Sequence, residues 1–340
     1  MSQSTQTLDL DVLGPYLKEK VDGFGTISEC KKFSIGQSNP TFLLTTEDGR
    51  YVLRRQPPGE LLKSAHQVDR EFRVMHALRD TDVPVPPMYH LCEDKSVIGS
   101  QFYLMGFADG TQHANPALES VDKADRAAYH YAMVDNIAAL HSLDIVELGL
   151  EDFGKGSDFF KRQIELWTRQ YRAAETETRK DMETLIESLP RLQPEDSGEK
   201  TLTHGDYKFD NVIFKKDGPE LLAVLDWELS TIGHPLADLA YFCMNLRLPQ
   251  SSISQGLGGV DREAEGIPSE EALIKRYCEK RGIPTMSDVD YYVAFSFFRL
   301  ASICQGVYKR SISGNASSEK GKAAGMVADA LAAMGVEALG

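Results

Sequence analysis

The sequence predicts an α+β protein of two lobes, a small antiparallel sheet followed by a larger, mainly helical part. Three observations carry this reading. The chain has 340 residues, too long for one small module and comfortable for two packed lobes. Its first hundred residues alternate strand-forming runs with turn chemistry, whereas the remainder carries long helical periodicities. A β-rich stretch over residues 202–226 interrupts those helices.

Taken in order, Leu10, Leu13 and Leu17 give a weak helical pattern. Phe33-Ser34-Ile35 alternates, Gly36 to Pro40 is turn chemistry, and Thr41–Thr46 is rich in strand formers. Glu47-Asp48-Gly49-Arg50 predicts a hairpin turn, with Tyr51–Arg54 the returning strand and Pro57-Pro58 its end. Val68, Phe72, Met75 and Leu78 share one helical face, which predicts a helix over 64–79; Pro84, Pro86 and Pro87 forbid its continuation. Gln101–Met105 reads as a buried strand, and the lobes are divided as 1–106 and 107–340. Helices are expected over 122–143, 157–188, 269–281 and 288–310. Between them, Val212–Phe214 and Leu221–Asp226 are strands around an Asp217-Gly218 turn, and the Ala/Gly-rich stretch 321–340 reads as a terminal helix.

Charge and cysteine usage narrow the classes of function. Lys and Arg number 37 against 51 Asp and Glu, a formal net charge of −14. That balance argues against nucleic acid or an anionic membrane as a partner, since both need a cationic surface. No apolar run approaches the roughly 18 residues of a membrane span. Asp9 and Asp11 near the start do not fit a secretory leader. Five cysteines, odd in number, widely spaced and without a C-x-x-C pair, read as reduced thiols rather than a zinc site or disulfide frame. The expectation is a cytoplasmic protein.

Polar residues on a hairpin inside a helical lobe point to function. The segment His204-Gly205-Asp206-Tyr207-Lys208-Phe209-Asp210-Asn211 is followed by Asp226-Trp227-Glu228. Phosphoryl transfer from a nucleotide needs a group to orient and deprotonate the acceptor hydroxyl, a divalent metal, cationic neutralisation and shielding from water. A carboxylate, an Asn five residues on and a later strand-end carboxylate can supply a base and two metal ligands. This pattern resembles the kinase catalytic loop H-R-D-x-x-x-x-N, with Gly205 in place of its Arg and Asp226-Trp227-Glu228 in place of Asp-Phe-Gly.

Those departures resemble the aminoglycoside phosphotransferase and choline kinase family. His204 to Tyr241 and Phe298 to Ser318 are also very similar to the kinase-like domain of acyl-CoA dehydrogenase family members ten and eleven. The resemblance implies a two-lobed protein-kinase-like fold, with a nucleotide-binding N-terminal lobe, a catalytic and acceptor-binding helical lobe, and ATP and Mg²⁺ as cofactors. It implies that Asp206 is the catalytic base and that Asn211 and Asp226 hold Mg²⁺, an oxygen-loving ion. Lys208 stands where many kinases have a lysine that reaches the transferred phosphate. Glu228, two residues after Asp226, either supports a second metal or begins a helix. His204 fixes the loop, and Asp238 is the family's buried helix-start Asp that bonds the catalytic-loop backbone. In the first lobe, Gly36 and Ser38 fall in the phosphate-covering loop. Arg54 takes the place of the lysine that grips the phosphates, with Arg55 on the opposite face as the competing candidate. Glu71 is its ion-pair partner, and Met105 to Phe107 form the hinge whose backbone meets adenine.

The resemblance implies a small-molecule hydroxyl as the acceptor. Lys161, Arg162, Arg169, Arg172, Arg179 and Lys180 lie within an arc of about 100° if 157–188 is one helix. They form either a solvated face or a wall for the phosphates of coenzyme A, with Arg299, Lys309 and Arg310 as further candidates. A polycationic aminoglycoside would want an acidic wall instead. The resemblance favours a hydroxyacyl-CoA of the 4-hydroxyacyl-CoA type, with an aminoglycoside or another small alcohol as the alternative. A non-catalytic nucleotide-binding module is the alternative of another class.

Overall fold

A computed structural model of the chain describes residues 8–33, 39–57, 66–251, 255–286, 288–313 and 319–340. In chain order the elements are α1 (Leu10–Lys20), β1 (Ile27–Lys32), β2 (Thr41–Thr46), β3 (Arg50–Arg55), α2 (Val68–Leu78), β4 (Met88–Cys92), β5 (Phe102–Gly106) and β6 (Thr111–Gln112). There follow α3 (Lys123–Ser142), α4 (Phe159–Ala174), α5 (Lys180–Leu192), β7 (Thr201–Thr203), β8 (Val212–Phe214), β9 (Leu221–Val224) and β10 (Thr231–Gly233). The rest is helical: α6 (Leu236–Arg247), α7 (Glu270–Arg281), α8 (Val289–Ile312) and α9 (Glu319–Leu339).

The chain forms two compact units. One takes the described residues up to Gln112 together with Asn211–Ser230; the other takes His113–Asp210 and Thr231–Gly340. Where the sequence reading divides the chain at 106/107, the structure thus returns the β8–β9 hairpin to the first unit. The physical reason is pairing: β6 joins β8 through Thr111↔Phe214 and Gln112↔Ile213. Gly110 lets the backbones approach, since a Cβ there would run into the Phe214 carbonyl.

In the first unit, strands run in the order β1-β2-β3-β5-β4, with every neighbouring pair antiparallel. Residues of β2 alternate half-buried and buried, and Phe42 and Leu44 pack with Leu13 and Leu17 of α1. Asp9 caps α1, its carboxylate accepting from the amides of Asp11 and Val12. The Asp48-Gly49 turn closes as expected, with the Thr46 hydroxyl accepting from both amides.

Three expectations differ here. The strand expected at Phe33-Ser34-Ile35 instead ends at Lys32; Phe33 follows it, and Ser34 and Ile35 lie outside the described residues. The helix expected over 64–79 begins at Val68, because His66 has φ 61, a left-handed conformation no α-helix can include. β4 was not expected: it starts directly after the proline run and fills the sheet edge beside β5.

The second unit is built around α8, whose residues Tyr291 to Phe298 are buried throughout. α4, α6 and α9 pack against it. The single helix expected over 157–188 is two, α4 and α5, with the chain turning through Glu175–Arg179. Tertiary contacts impose the break. Arg179 is buried, donates to Gln305 Oε1 (3.2 Å) and pairs with Glu177 and Asp329. Gln305 Nε2 in turn donates to the Ala174 carbonyl at 2.9 Å, satisfying one of the last carbonyls of α4. Among the described residues no helix is long and apolar enough to cross a membrane.

Candidate active site

In the first unit the hairpin sets the geometry. Val212 pairs with Val224, and the Leu225 amide donates to the Asn211 carbonyl at 2.8 Å, so Asn211 and Asp226 stand at the same end of the hairpin. Asp226 has φ 64 and ψ 58, a left-handed conformation that Asp tolerates better than most residues. A 3₁₀ turn, Trp227–Leu229, follows it, and the buried Trp227 indole anchors that turn by donating to the Val224 carbonyl. Glu228 is therefore part of a helical turn, not of an extended strand. Its carboxylate nonetheless faces the same cation as Asp226: Arg54 Nη2 lies 2.7 Å from Asp226 Oδ1 and 3.5 Å from Glu228 Oε2.

Arg54 also stands 3.0 Å from Glu71 Oε2, so one guanidinium serves three carboxylates. Glu71 is fully buried on α2 and accepts further bonds from Asn39 Nδ2 (3.1 Å) and the Tyr103 hydroxyl (2.8 Å). Burial pushes its carboxyl up to about 7, with Arg54 and Tyr103 pulling the other way. Arg55, its side chain on the other face of β3, is buried apart from these carboxylates; its Nε faces the Gln56 carbonyl and burial lowers its pKa. Met105 lies within β5, opposite Val52 and Met88. The Phe107 amide donates to the Arg50 carbonyl at 3.2 Å, and its ring lies under the Arg50 guanidinium. Gly36 and Ser38 lie outside the described residues.

Among the described residues no cluster of three or more His, Cys, Asp or Glu side chains is assembled to hold a metal ion. The donors that do share the hairpin end, Asn211, Asp226 and Glu228, are all oxygen ligands. That set fits a hard divalent cation such as Mg²⁺ and fits softer metals poorly.

In the second unit the candidate loop leaves β7 at His204. Gly205, at φ 83, supplies the left-handed turn. The fully buried Asp238 carboxylate, near the start of α6, accepts the amides of His204 (2.6 Å) and Gly205 (2.8 Å). It also meets His141 Nε2 at 3.3 Å, while His141 Nδ1 is bonded to the Tyr277 hydroxyl. Burial pushes the Asp238 carboxyl up, yet His141 and the Gly205 amide outweigh it and hold it below the usual range. The buried His204 accepts the Asp206 amide on Nδ1, which fixes the loop from inside. Tyr207 is fully buried, bonded to Asn136 Nδ2 and the Met133 carbonyl.

These anchors leave Asp206 and Lys208 on the open side of the loop. The Tyr241 hydroxyl donates to Asp206 Oδ1 at 2.6 Å, and Lys208 Nζ lies 3.5 Å from Asp206 Oδ2 and 3.3 Å from Asp210. Burial lowers the Lys208 pKa, but the two carboxylates more than offset that and keep the ammonium charged. Tyr241 was not singled out from the sequence. The available signal was helical spacing: Asp238 and Tyr241, three apart on α6, share a face, so both reach the same loop.

The basic set expected on one helix is split by the α4–α5 break. Arg172 pairs with Glu175 and Glu183, Arg179 is buried in its own network, and Lys309 donates to the Ala173 carbonyl. No continuous wall of cations forms from these three. Beside Lys208 and Asp210 lies a cavity of about 330 Å³, lined by apolar Pro116, Phe209, Phe242 and Leu246 and by polar Asn245 and Gln255.

A kinase-type loop with its carboxylate beside a lysine, in a helical unit, is an arrangement suited to phosphoryl transfer. The chain belongs to the phosphotransferase enzyme family, whose match covers residues 29–289, and is an O-phosphotransferase of two-lobed, kinase-like α+β fold. It is 44% identical over 332 residues to acyl-CoA dehydrogenase family member 10 of Mus musculus, covering 97% of this chain and 31% of that one. Acyl-CoA dehydrogenase family member 11 of Pongo abelii is 43% identical over 316 residues, covering 92% and 40%. The chain thus spans about a third to two fifths of the length of these curated relatives. A solved structure from Ralstonia eutropha JMP134, provisionally named an aminoglycoside phosphotransferase, is 42% identical with a TM-score of 0.90, covering 98% of both chains. A thermostable mutant of an aminoglycoside phosphotransferase, solved with ADP and hygromycin B, is 15% identical with a TM-score of 0.61 and covers 95% and 98%; it shares the fold.

Proposed function

We propose that this chain transfers the γ-phosphoryl group of ATP to the hydroxyl of a hydroxyacyl-CoA, of the 4-hydroxyacyl-CoA type. The observation that carries the reading is the Asp206 carboxylate, one oxygen held at 2.6 Å by the Tyr241 hydroxyl on a loop pinned by Asp238. Burial and the Asp206 charge raise the Tyr241 pKa well above its ordinary value, so the phenol remains a donor. Asp206 then orients the acceptor hydroxyl and takes its proton as the new O–P bond forms and the bond to ADP breaks. Lys208 supplies positive charge next to the reacting oxygen. Arg54, aligned by Glu71, grips the phosphates, and the backbone of Met105 to Phe107 meets adenine. Asn211 and Asp226, with Glu228, hold Mg²⁺, which when bound neutralises phosphate charge.

The ADP bound to the neighbour of known fold supports ATP as donor. The acyl-CoA reading draws on the relatives' names: a kinase segment within a longer chain named for acyl-CoA chemistry would meet such thioesters. The cavity beside Lys208 supports it too. Its walls mix apolar and polar groups, and its lining carboxylate, Asp210, is paired with Lys208, a poor match for a polycation. A coupled ADP-release screen with Mg²⁺-ATP tests the proposal. Hydroxyacyl-CoAs are expected to be turned over and amino sugars not. The reverse pattern removes the acyl-CoA acceptor, and no turnover of any alcohol removes the kinase reading.

A further inference from the structure

Arg299, on α8, is a member of the candidate basic set whose surroundings ask for a partner from outside the chain. Its guanidinium lies between two aromatic rings, 5.7 Å from the Trp167 centroid and 5.6 Å from that of Tyr241. Trp167 is itself fixed, its indole donating to Gln163 Oε1 at 3.0 Å. Among the described residues no carboxylate pairs with Arg299 and no oxygen accepts from it. Arg172, Arg179 and Arg247 of the same unit each have at least two acidic partners. A cation–π contact holds a guanidinium over the ring faces while leaving its N–H groups free to meet an incoming oxygen. A half-buried cation held this way is preorganised for an incoming anion or carbonyl.

Its position says which one. The ring that supports Arg299 is the same Tyr241 whose hydroxyl binds Asp206, so guanidinium and candidate base are separated by a single tyrosine side chain. A group bound by Arg299 must therefore sit a few bonds from the hydroxyl that Asp206 receives. The phosphates of coenzyme A stand a whole pantetheine arm beyond the acyl group and are too distant. The acyl oxygens themselves are at the right remove.

We propose that Arg299 recognises the acyl oxygens of the acceptor, the carbonyl of a thioester or the carboxylate of the free hydroxy acid, and so selects hydroxy-acyl compounds over plain alcohols. This rests on the acceptor reading above and sharpens it. The experiment compares wild type, R299Q and R299K on three acceptors: a 4-hydroxyacyl thioester, the free 4-hydroxy acid and an alkanol of equal length. The kcat/KM preference for acyl-bearing acceptors over the alkanol is expected to fall about ten- to a hundredfold in R299Q, with R299K in between. A larger loss on the free acid than on the thioester marks the carboxylate as the natural group; the opposite marks the carbonyl. An equal fall on all three acceptors makes Arg299 a support for Tyr241 only and overturns the proposal, as does no change. Calorimetric titration of the hydroxy acid and its thioester into wild type and R299Q reads the same contact without turnover. If no acceptor is phosphorylated yet R299Q binds the acyl ligands at least tenfold more weakly, the kinase reading fails and Arg299 stands. Equal binding with normal turnover does the converse.

Discussion

At the scale of single residues, Asp206 and Tyr241 make separable demands on the chemistry. Asp206→Asn keeps the shape but cannot take a proton, and kcat is expected to fall by roughly 10²–10⁴. Tyr241→Phe removes the 2.6 Å bond to Oδ1 and keeps the carboxylate in place. A bond to a charged group is worth about 1.5–3 kcal/mol, so kcat is expected to fall about ten- to a hundredfold with the KM for ATP little changed. Steady-state kinetics with saturating Mg²⁺-ATP read both. Should Tyr241→Phe match wild type, the phenol has no part in orienting Asp206.

At the scale of elements, α6 acts as the clamp of the catalytic loop. Asp238 fixes two successive amides and a buried histidine, so Asp238→Ala leaves donors unmet in the interior. A loss of about 2–4 kcal/mol in unfolding free energy is expected, with Asp238→Asn losing less. Chemical denaturation of the two variants decides it, and equal stability of all three proteins would remove the clamp. Elements were legible where local pattern and tertiary need agree. The β2–β3 hairpin with its Asp48-Gly49 turn, and the helices α3, α7 and α8, all lie close to where periodicity puts them. They were illegible where distant contacts decide. Nothing in Glu175–Arg179 is a Gly or Pro, so the helical period reads straight through; the break comes from Arg179 and Gln305, more than a hundred residues apart. β1 escaped notice because Ile-Ser-Glu-Cys-Lys-Lys is mostly polar, as an edge strand can be. The motif residues of the site were legible because their spacing is local; Tyr241 became visible only once α6 showed which loop it faces.

At the scale of the molecule, the buried Arg54–Glu71 pair ties catalysis-like geometry to pH. The Glu71 carboxyl rises from an ordinary 4.5 to about 7 on folding, so between those values the folded chain binds more protons than the unfolded one. Its contribution to stability is full below about 4.5 and is lost as pH rises through about 7. Urea unfolding at pH 5 and pH 7.5 is expected to show a decline of roughly 1–3 kcal/mol from this group, absent in Glu71→Gln. The general effect of net charge, −14 in wild type and one unit less negative in Glu71→Gln, is nearly the same in both proteins and largely cancels in the comparison. Identical slopes for the two would mean that Glu71 stays ionised throughout.

The left-handed backbone at Asp226 carries a consequence of its own. A side chain branched at Cβ crowds the neighbouring carbonyl there, whereas glycine, asparagine and aspartate sit with little strain. The codon is thus hemmed in twice over, once by steric tolerance and once by whatever the carboxylate must bind. Drift away from aspartate has only two comfortable exits, and each discards the charge.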